Sequence, residues 1–246
     1  MVFLTKGLAS HQGTICLLPA QFHNFLPSHL KDKIPLSAIG GPSIAAEVNL
    51  RRPTSIVLVG TDLILLETIA EWIQGHADWV SLNTDVIGVE VCVALKNLYA
   101  LAIGMVEGQF KHRDEIEMAF NPTAALSTQS LSEMKALNRY LGGDETNVFS
   151  LPGAGDLYVT CQGGRNIRMG RLLGQGLKIQ DAQDKLMVDE TIEGLELAFS
   201  IGATVRSLVQ RGELLDREIP LMLHVLDVVL NEAHVDIPWG LFTYST

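Results

Sequence analysis

The chain has 246 residues, 47% hydrophobic and 19% charged, enough apolar material for one large domain or two modest ones. Its formal net charge of -10 argues against a nucleic-acid partner, which needs a basic face to displace counterions. Cys16, Cys92 and Cys161 form no CxxC pair and the seven histidines make no HExxH spacing, so no metal site and no disulfide framework is expected, and a reduced, cytoplasmic setting fits best.

The opening MVFLTKGLAS has one lysine and no long apolar run, so it does not read as a signal peptide. VFLTKGL predicts a strand that turns at Gly7. LSAIGGPS predicts a second strand ending in a Gly-Gly-Pro-Ser turn, after which Ser43 is placed to cap a helix over SIAAEVNLR. Residues 54–60, TSIVLVG, form a continuous, β-branched apolar run that suits a strand buried on both faces. Next, TDLILLETIAEWIQGH sets Leu65, Leu66, Ile69, Trp72 and Ile73 on one helical face, and DWVSLNTD reads as another extended segment. This alternation predicts an α/β layer of mostly parallel strands over residues 1–84.

After Asp85 the rhythm changes. Helical patterns follow at 86–106, 122–141, 165–174, 191–201 and 221–232, which predicts an all-helical domain over residues 85–246. The first has the length of a membrane span, but Glu90, Lys96 and Asn97 interrupt it where they would be costly in lipid. It reads as a helix buried in a soluble protein, and no transmembrane segment is expected. Residues 107–121 are charged and lack a period, which fits a surface loop or a short exposed helix. No GxGxxG follows a strand and opens a helix, as a dinucleotide pyrophosphate site requires. A sheet built from residues 1–84 alone would be small, like the second half of something larger.

Two places could carry chemistry. Lys96 sits mid-helix among Val91, Val93, Ala94, Leu95, Leu98 and Tyr99. A lysine there is costly unless it is paired, snorkels to solvent or is used, and desolvation would lower its pKa toward the range of proton transfer. In GAGDLYVTCQGGRNIRMGRLLGQG, Asp156 lies between glycines and an apolar run, and Arg165-Asn166 follows a Gly-Gly pair at an apparent helix start. Free amides at a helix start bind phosphate and an arginine adds a bidentate clamp, although a glycine loop before an ordinary surface helix has the same pattern. Lys6 and the Gly41–Ser43 turn are weaker signals at apparent strand ends, where α/β proteins bind ligands.

Four pieces occur in order: LTKGL with Lys6, GGPSIAAEV with Ser43, NTDVIGVEVCVALKN with Lys96, and GAGDLYVTCQGGRN with Asp156, Arg165 and Asn166. Together they resemble the NAD(P)-dependent sn-glycerol-3-phosphate dehydrogenases over nearly the whole chain. The resemblance implies hydride transfer between dihydroxyacetone phosphate and sn-glycerol 3-phosphate, with NAD or NADP as cofactor. It implies a Rossmann domain followed by an all-helical substrate domain, here a partial Rossmann-like sheet plus helices, and a homodimer as the expected assembly. Lys96 matches the catalytic lysine. Lys6, Gly41, Ser43, Asn97, Asp156, Thr160, Arg165 and Asn166 match substrate-site positions. Lys6, Ala45, Arg165 and Glu193 match positions touching the dinucleotide.

The chain also departs from the family. The glycine-rich first Rossmann half is missing, which predicts weak dinucleotide binding and little turnover by this chain as it stands. Gly164 replaces the serine many members carry before Arg-Asn. Ala119-Phe120-Asn121 replaces Gly-Asp-Asn and Thr128-Gln129-Ser130 replaces Thr-Arg-Gly, which predicts altered loop or subunit contacts. The competing expectations are a folded non-catalytic module and a related two-domain reductase for a 2-oxoacid or ketopantoate.

Overall fold

A computed structural model describes residues 1–31, 33–75, 79–110 and 119–242. Its four-stranded sheet has the order β1 (Val2–Phe3), β4 (Ser37–Gly40), β5 (Ser55–Gly60), β6 (Trp79–Asn83). Two pairings, β1–β4 and β5–β6, are parallel, and the central β4–β5 pairing is antiparallel. The connections explain the difference. Between β5 and β6 the chain crosses over through α4 (Leu63–Ile73), whereas the β4–β5 link holds only the short α3 (Ala45–Asn49), less than a parallel crossover normally uses.

β5 is buried on both faces, as its unbroken apolar run predicts. Val57 and Val59 pack against Val89 and Val93 of the long helix α5 (Val86–Phe110), and Leu58 packs against Leu66 and Ile69 of α4. Trp72 does not join that face. It is 73% exposed, because α4 buries only the narrower stripe of Leu66 and Ile69. Ser43 is not a helix cap either. Ile44 occupies the N-cap of α3 without a side-chain hydrogen bond, which leaves Ser43 one residue outside the helix.

The strand expected over VFLTKGL is short, and a hairpin follows it: β2 (Leu8–His11) pairs antiparallel with β3 (Thr14–Leu17). Gln12 and Gly13 have φ of 49° and 76°, the doubly positive geometry of a two-residue turn that favours glycine. The hairpin packs on the helices. Leu8 and Ile15 enter the helical core, and Ser10 Oγ donates to Ser200 O at 2.7 Å. Helices α1 (Leu18–Phe25) and α2 (Ser28–Lys31) then lead to β4.

Asp85 starts α5. Its carboxylate accepts from Gly88 N at 3.0 Å, satisfying a first-turn amide, and from Asp144 N and Asn147 Nδ2. Helix α5 is buried along nearly its whole length, and although it is long and apolar enough to cross a membrane, 89% of its most apolar window lies inside the protein. Around it pack α6 (Phe120–Leu141), α7 (Asp156–Cys161), α8 (Arg165–Gly174), α10 (Glu193–Gln210) and α11 (Pro220–Asn231), while α9 (Ile179–Leu186) packs outside α8. Of the charged segment 107–121, residues 107–110 continue α5, Phe120 opens α6, and 111–118 lie outside the described residues.

Two contacts set this bundle. Gly104 and Gly108 of α5 face Gly170 and Gly174 of α8, and a Cβ on any of the four would collide with backbone of the other helix. Small residues at such spacing let helix backbones approach closely. In α6, the fully buried Glu133 accepts from Gln129 Nε2 at 2.8 Å, Tyr99 Oη at 3.1 Å, and the amides of Leu221 and Met222 at 2.7 and 2.8 Å. Those two amides belong to the first turn of α11, so one carboxylate ties three helices together. Gln129 and Ser130 are therefore core residues, 2% and 0% exposed, and not the loop or subunit contacts expected of them.

Candidate active site

Helix α5 is apolar all round, so its one lysine is carried into the interior: Lys96 is 7% exposed. Its partner comes from a different part of the chain. A π-turn over Leu151–Gly155 feeds into α7, whose first residue, Asp156, is 2% exposed. Such turns are enriched at functional sites. The Lys96 ammonium is ion-paired with Asp156 Oδ1. On the other oxygen, Lys6 Nζ lies 3.1 Å from Asp156 Oδ2 and donates to Gly41 O at 3.3 Å. One carboxylate thus bridges two ammonium groups, one delivered by the end of β1 and one by the core of α5. Burial pushes the Lys96 ammonium down to about 8, Lys6 pushes the same way, and Asp156 opposes both.

Asn97 and α8 form the opposite side. Asn97 Oδ1 accepts from Asn166 Nδ2 at 2.9 Å, and Asn166 Oδ1 accepts from Gly194 N at 2.8 Å. The pair of amides locks α5, α8 and α10 to one another. Arg165 begins α8, preceded by Gly164 with φ of 102° and no side-chain cap. A Cβ at Gly163 or Gly164 meets nothing within 4 Å, so the loop is open and the first-turn amides are uncapped. The Arg165 guanidinium reaches across to pair with Glu193, the first residue of α10.

These groups surround a cleft of about 430 Å³, lined by Ser43, Lys96, Asn97, Asp156, Thr160, Arg165, Asn166 and Glu193. Lys6 and Gly41 join it through Asp156. Thr160 spends its proton on the Asp156 carbonyl at 2.6 Å, which leaves its oxygen to accept. Ala45 is exposed at the start of α3 and is not among the lining residues. The cleft is also lined by Ile44, Val159, Gln162 and Gly163, which sequence reasoning passed over. Val159 was legible, since it lies one turn beyond Asp156 on α7. Among the described residues, no group of three His, Cys, Asp or Glu side chains is placed to hold a metal ion.

The arrangement offers a proton donor of lowered pKa at its floor and an arginine beside uncapped amides at its mouth. That suits a small anionic molecule with a reacting oxygen at one end. Residues 85–238 match the family model described as NAD-dependent glycerol-3-phosphate dehydrogenase C-terminus. An NADP(+)-dependent glycerol-3-phosphate dehydrogenase of Archaeoglobus fulgidus is 36% identical over 186 residues, covering 76% of this chain and 54% of the relative. A glycerol-3-phosphate dehydrogenase [NAD(P)+] of Klebsiella pneumoniae is 34% identical over 232 residues, covering 93% and 62%. The crystal structure of glycerol-3-phosphate dehydrogenase from Coxiella burnetii superposes with a TM-score of 0.78 at 30% identity, over 95% of this chain and 65% of that one. The chain spans little more than half the length of the curated relatives it matches. On its sequence, its sheet-plus-helix fold and its family match, the chain belongs to the NAD-dependent glycerol-3-phosphate dehydrogenases, a family of oxidoreductases.

Proposed function

We propose that this chain carries the substrate-binding and proton-transfer half of a dehydrogenase that interconverts dihydroxyacetone phosphate and sn-glycerol 3-phosphate. The observation that carries the reading is the buried Lys96–Asp156 pair at the floor of a cleft whose mouth is the uncapped start of α8. The phosphate sits at the α8 amides with Arg165, and the three-carbon body extends toward Lys96. When bound, the dinucleotide supplies or takes the hydride. As the carbonyl carbon gains hydride, its oxygen takes a proton from the Lys96 ammonium, so no free alkoxide forms. In the oxidative direction, neutral Lys96 removes the hydroxyl proton. A lysine held at about 8 serves both directions near neutral pH. Asp156 orients Lys96 and Lys6, while Asn97 and Asn166 fix the distance between the two ends of the substrate.

Lys6, Ala45, Arg165 and Glu193 would hold the dinucleotide, NAD or NADP. Ala45 is exposed, and Arg165 and Glu193 pair at the mouth of the cleft. The sequence holds no glycine-rich loop for the pyrophosphate. The chain by itself is therefore expected to bind dinucleotide weakly and to turn over poorly. We place the division between the sheet part and the substrate-binding part near Asp85, and the reading carries with it a cytoplasmic homodimer supplying glycerophospholipid precursors.

Calorimetric titration with glycerol 3-phosphate against glycerol tests the site. Binding of the phosphate ester and none of glycerol is expected, and equal weak binding of both would remove the phosphate assignment. NADH oxidation with dihydroxyacetone phosphate tests the second part, where robust turnover by this chain would overturn the expectation of weakness. A folded module without catalysis is the second reading, favoured by the exposed Val2 of the edge strand β1 and the exposed Met1 and Leu4 that flank it. Concentration-dependent association through that edge, seen by size-exclusion chromatography together with failure to bind the phosphate ester, would favour it.

A further inference from the structure

Each of the two cations that line the cleft already has an anion of the chain beside it: Lys96 is paired with Asp156, and Arg165 with Glu193. Burial separates the two pairs. The side chains of Lys96 and Asp156 are 9% and 2% exposed, those of Arg165 and Glu193 45% and 32%. A buried pair is costly to break, because the charge left behind is uncompensated, whereas a half-exposed pair contributes little and yields readily. Glu193 uses both of its oxygens at the mouth. Oε1 takes the Arg165 guanidinium, and Oε2 accepts from Asn166 Nδ2 at 3.4 Å. Both partners belong to the first turn of α8, where the phosphate is placed.

We propose that Glu193 is a stand-in anion: in the ligand-free protein its carboxylate occupies the partners of the phosphate, and an entering phosphate takes Arg165 from it. The proposal rests on the reading of the α8 start as the phosphate site. Glu193 has somewhere to go. It is the first residue of α10, whose N-cap, Ile192, supplies no side-chain cap, so a carboxylate released there stays beside the positive end of that helix. The exchange selects its ligand. A phosphate dianion brings more charge and more acceptor oxygens to the guanidinium than Glu193 does, whereas a carboxylate ligand only matches it. The site therefore favours phosphate esters over carboxylic acids of the same size.

The test is calorimetric titration of the full chain with inorganic phosphate. Glu193→Gln is expected to tighten phosphate binding about fivefold, the upper end of what a half-exposed ion pair withholds. That gain is expected to vanish in an Arg165→Ala background. Equal affinity with and without the substitution overturns the proposal. So does the same gain in both backgrounds, which would reduce Glu193 to a repelling charge. Should a variant not fold, the Glu193 carboxyl carbon is followed by NMR in ¹³C-labelled wild type. Phosphate is expected to shift it and acetate at the same concentration is not. A carbon unmoved by saturating phosphate, or moved as far by acetate, is equally fatal. Failure in any of these forms leaves phosphate bound and the dehydrogenase reading standing, whereas phosphate binding by none of the proteins would remove the phosphate site itself and this proposal with it.

Discussion

Asp156→Asn separates an electrostatic role for this residue from a packing role. The substitution keeps the shape and removes the charge that two ammonium groups share. Removing one partner of a buried ion pair costs about 3–5 kcal/mol, because the other charge is left uncompensated. The size of the effect depends on pH in a way that can be worked out. Lys96 has a folded value of about 8, below the 10.5 of an exposed lysine. A lysine whose folded value is depressed binds fewer protons folded than unfolded, so its burial weighs on stability below pH 8 and that weight lifts as pH rises toward 10.5. Without Asp156 the Lys96 value falls further. A further drop of about two units adds about 1.4 kcal/mol of destabilisation at pH 7 and almost none at pH 9.5, where Lys96 is neutral in both proteins. Urea denaturation of wild type and Asp156→Asn at the two pH values is the assay. The stability gap is expected to narrow by about 1 kcal/mol or more at the higher pH. An equal gap at both values would show that Asp156 acts through packing alone and would remove the coupling on which the proton-transfer role depends.

Glu133→Ala strands four buried donors, two of them backbone amides of α11, and is expected to lower stability by about 3 kcal/mol in the same denaturation experiment. Gly104→Ala drives a Cβ into the Ile167 carbonyl and is expected to cost about 3 kcal/mol, whereas Gly163→Ala meets nothing and stays within about 0.5 kcal/mol. Matching melting temperatures for the two glycine variants would contradict the close α5–α8 approach. Arg165→Ala is expected to weaken glycerol 3-phosphate binding about tenfold by calorimetry. Glu193→Gln, which releases the guanidinium from its ion pair, is expected not to weaken it.

Much of this was legible in the sequence where one physical signal dominated. The 54–60 run had only one stable place, between two layers, and β5 occupies it. An α5 apolar on every face had to be central, and a lysine inside it was costly unless paired, used or snorkelled to solvent; the structure pairs it with a carboxylate. The residues could not name that carboxylate, because Lys96 and Asp156 are brought together by the π-turn before α7, which no periodicity encodes. The hairpin was missed for a related reason: HQGT carries a turn signal, but the flanking strands are too short to alternate clearly. Ser43 and Trp72 were misplaced because capping and amphipathic rules are local, while the true N-cap and the width of the buried stripe are set by neighbouring elements. The antiparallel β4–β5 pairing reflects the brevity of α3, visible only once its ends are known.

The glycine contact between α5 and α8 reaches beyond packing. Because backbone meets backbone there, the separation of Lys96 from the first turn of α8 does not depend on any side-chain rotamer, and the Asn97–Asn166 bond fastens the same two helices at the cleft itself. The two walls that carry Lys96 and Arg165 behave as one jaw. Any widening of the cleft to admit or release a ligand has to be made by the other jaw, the sheet side with Lys6, Gly41 and Ser43. That side is held to the first by the packing of Val57 and Val59 on Val89 and Val93, and at the cleft itself by the Lys6–Asp156 ion pair.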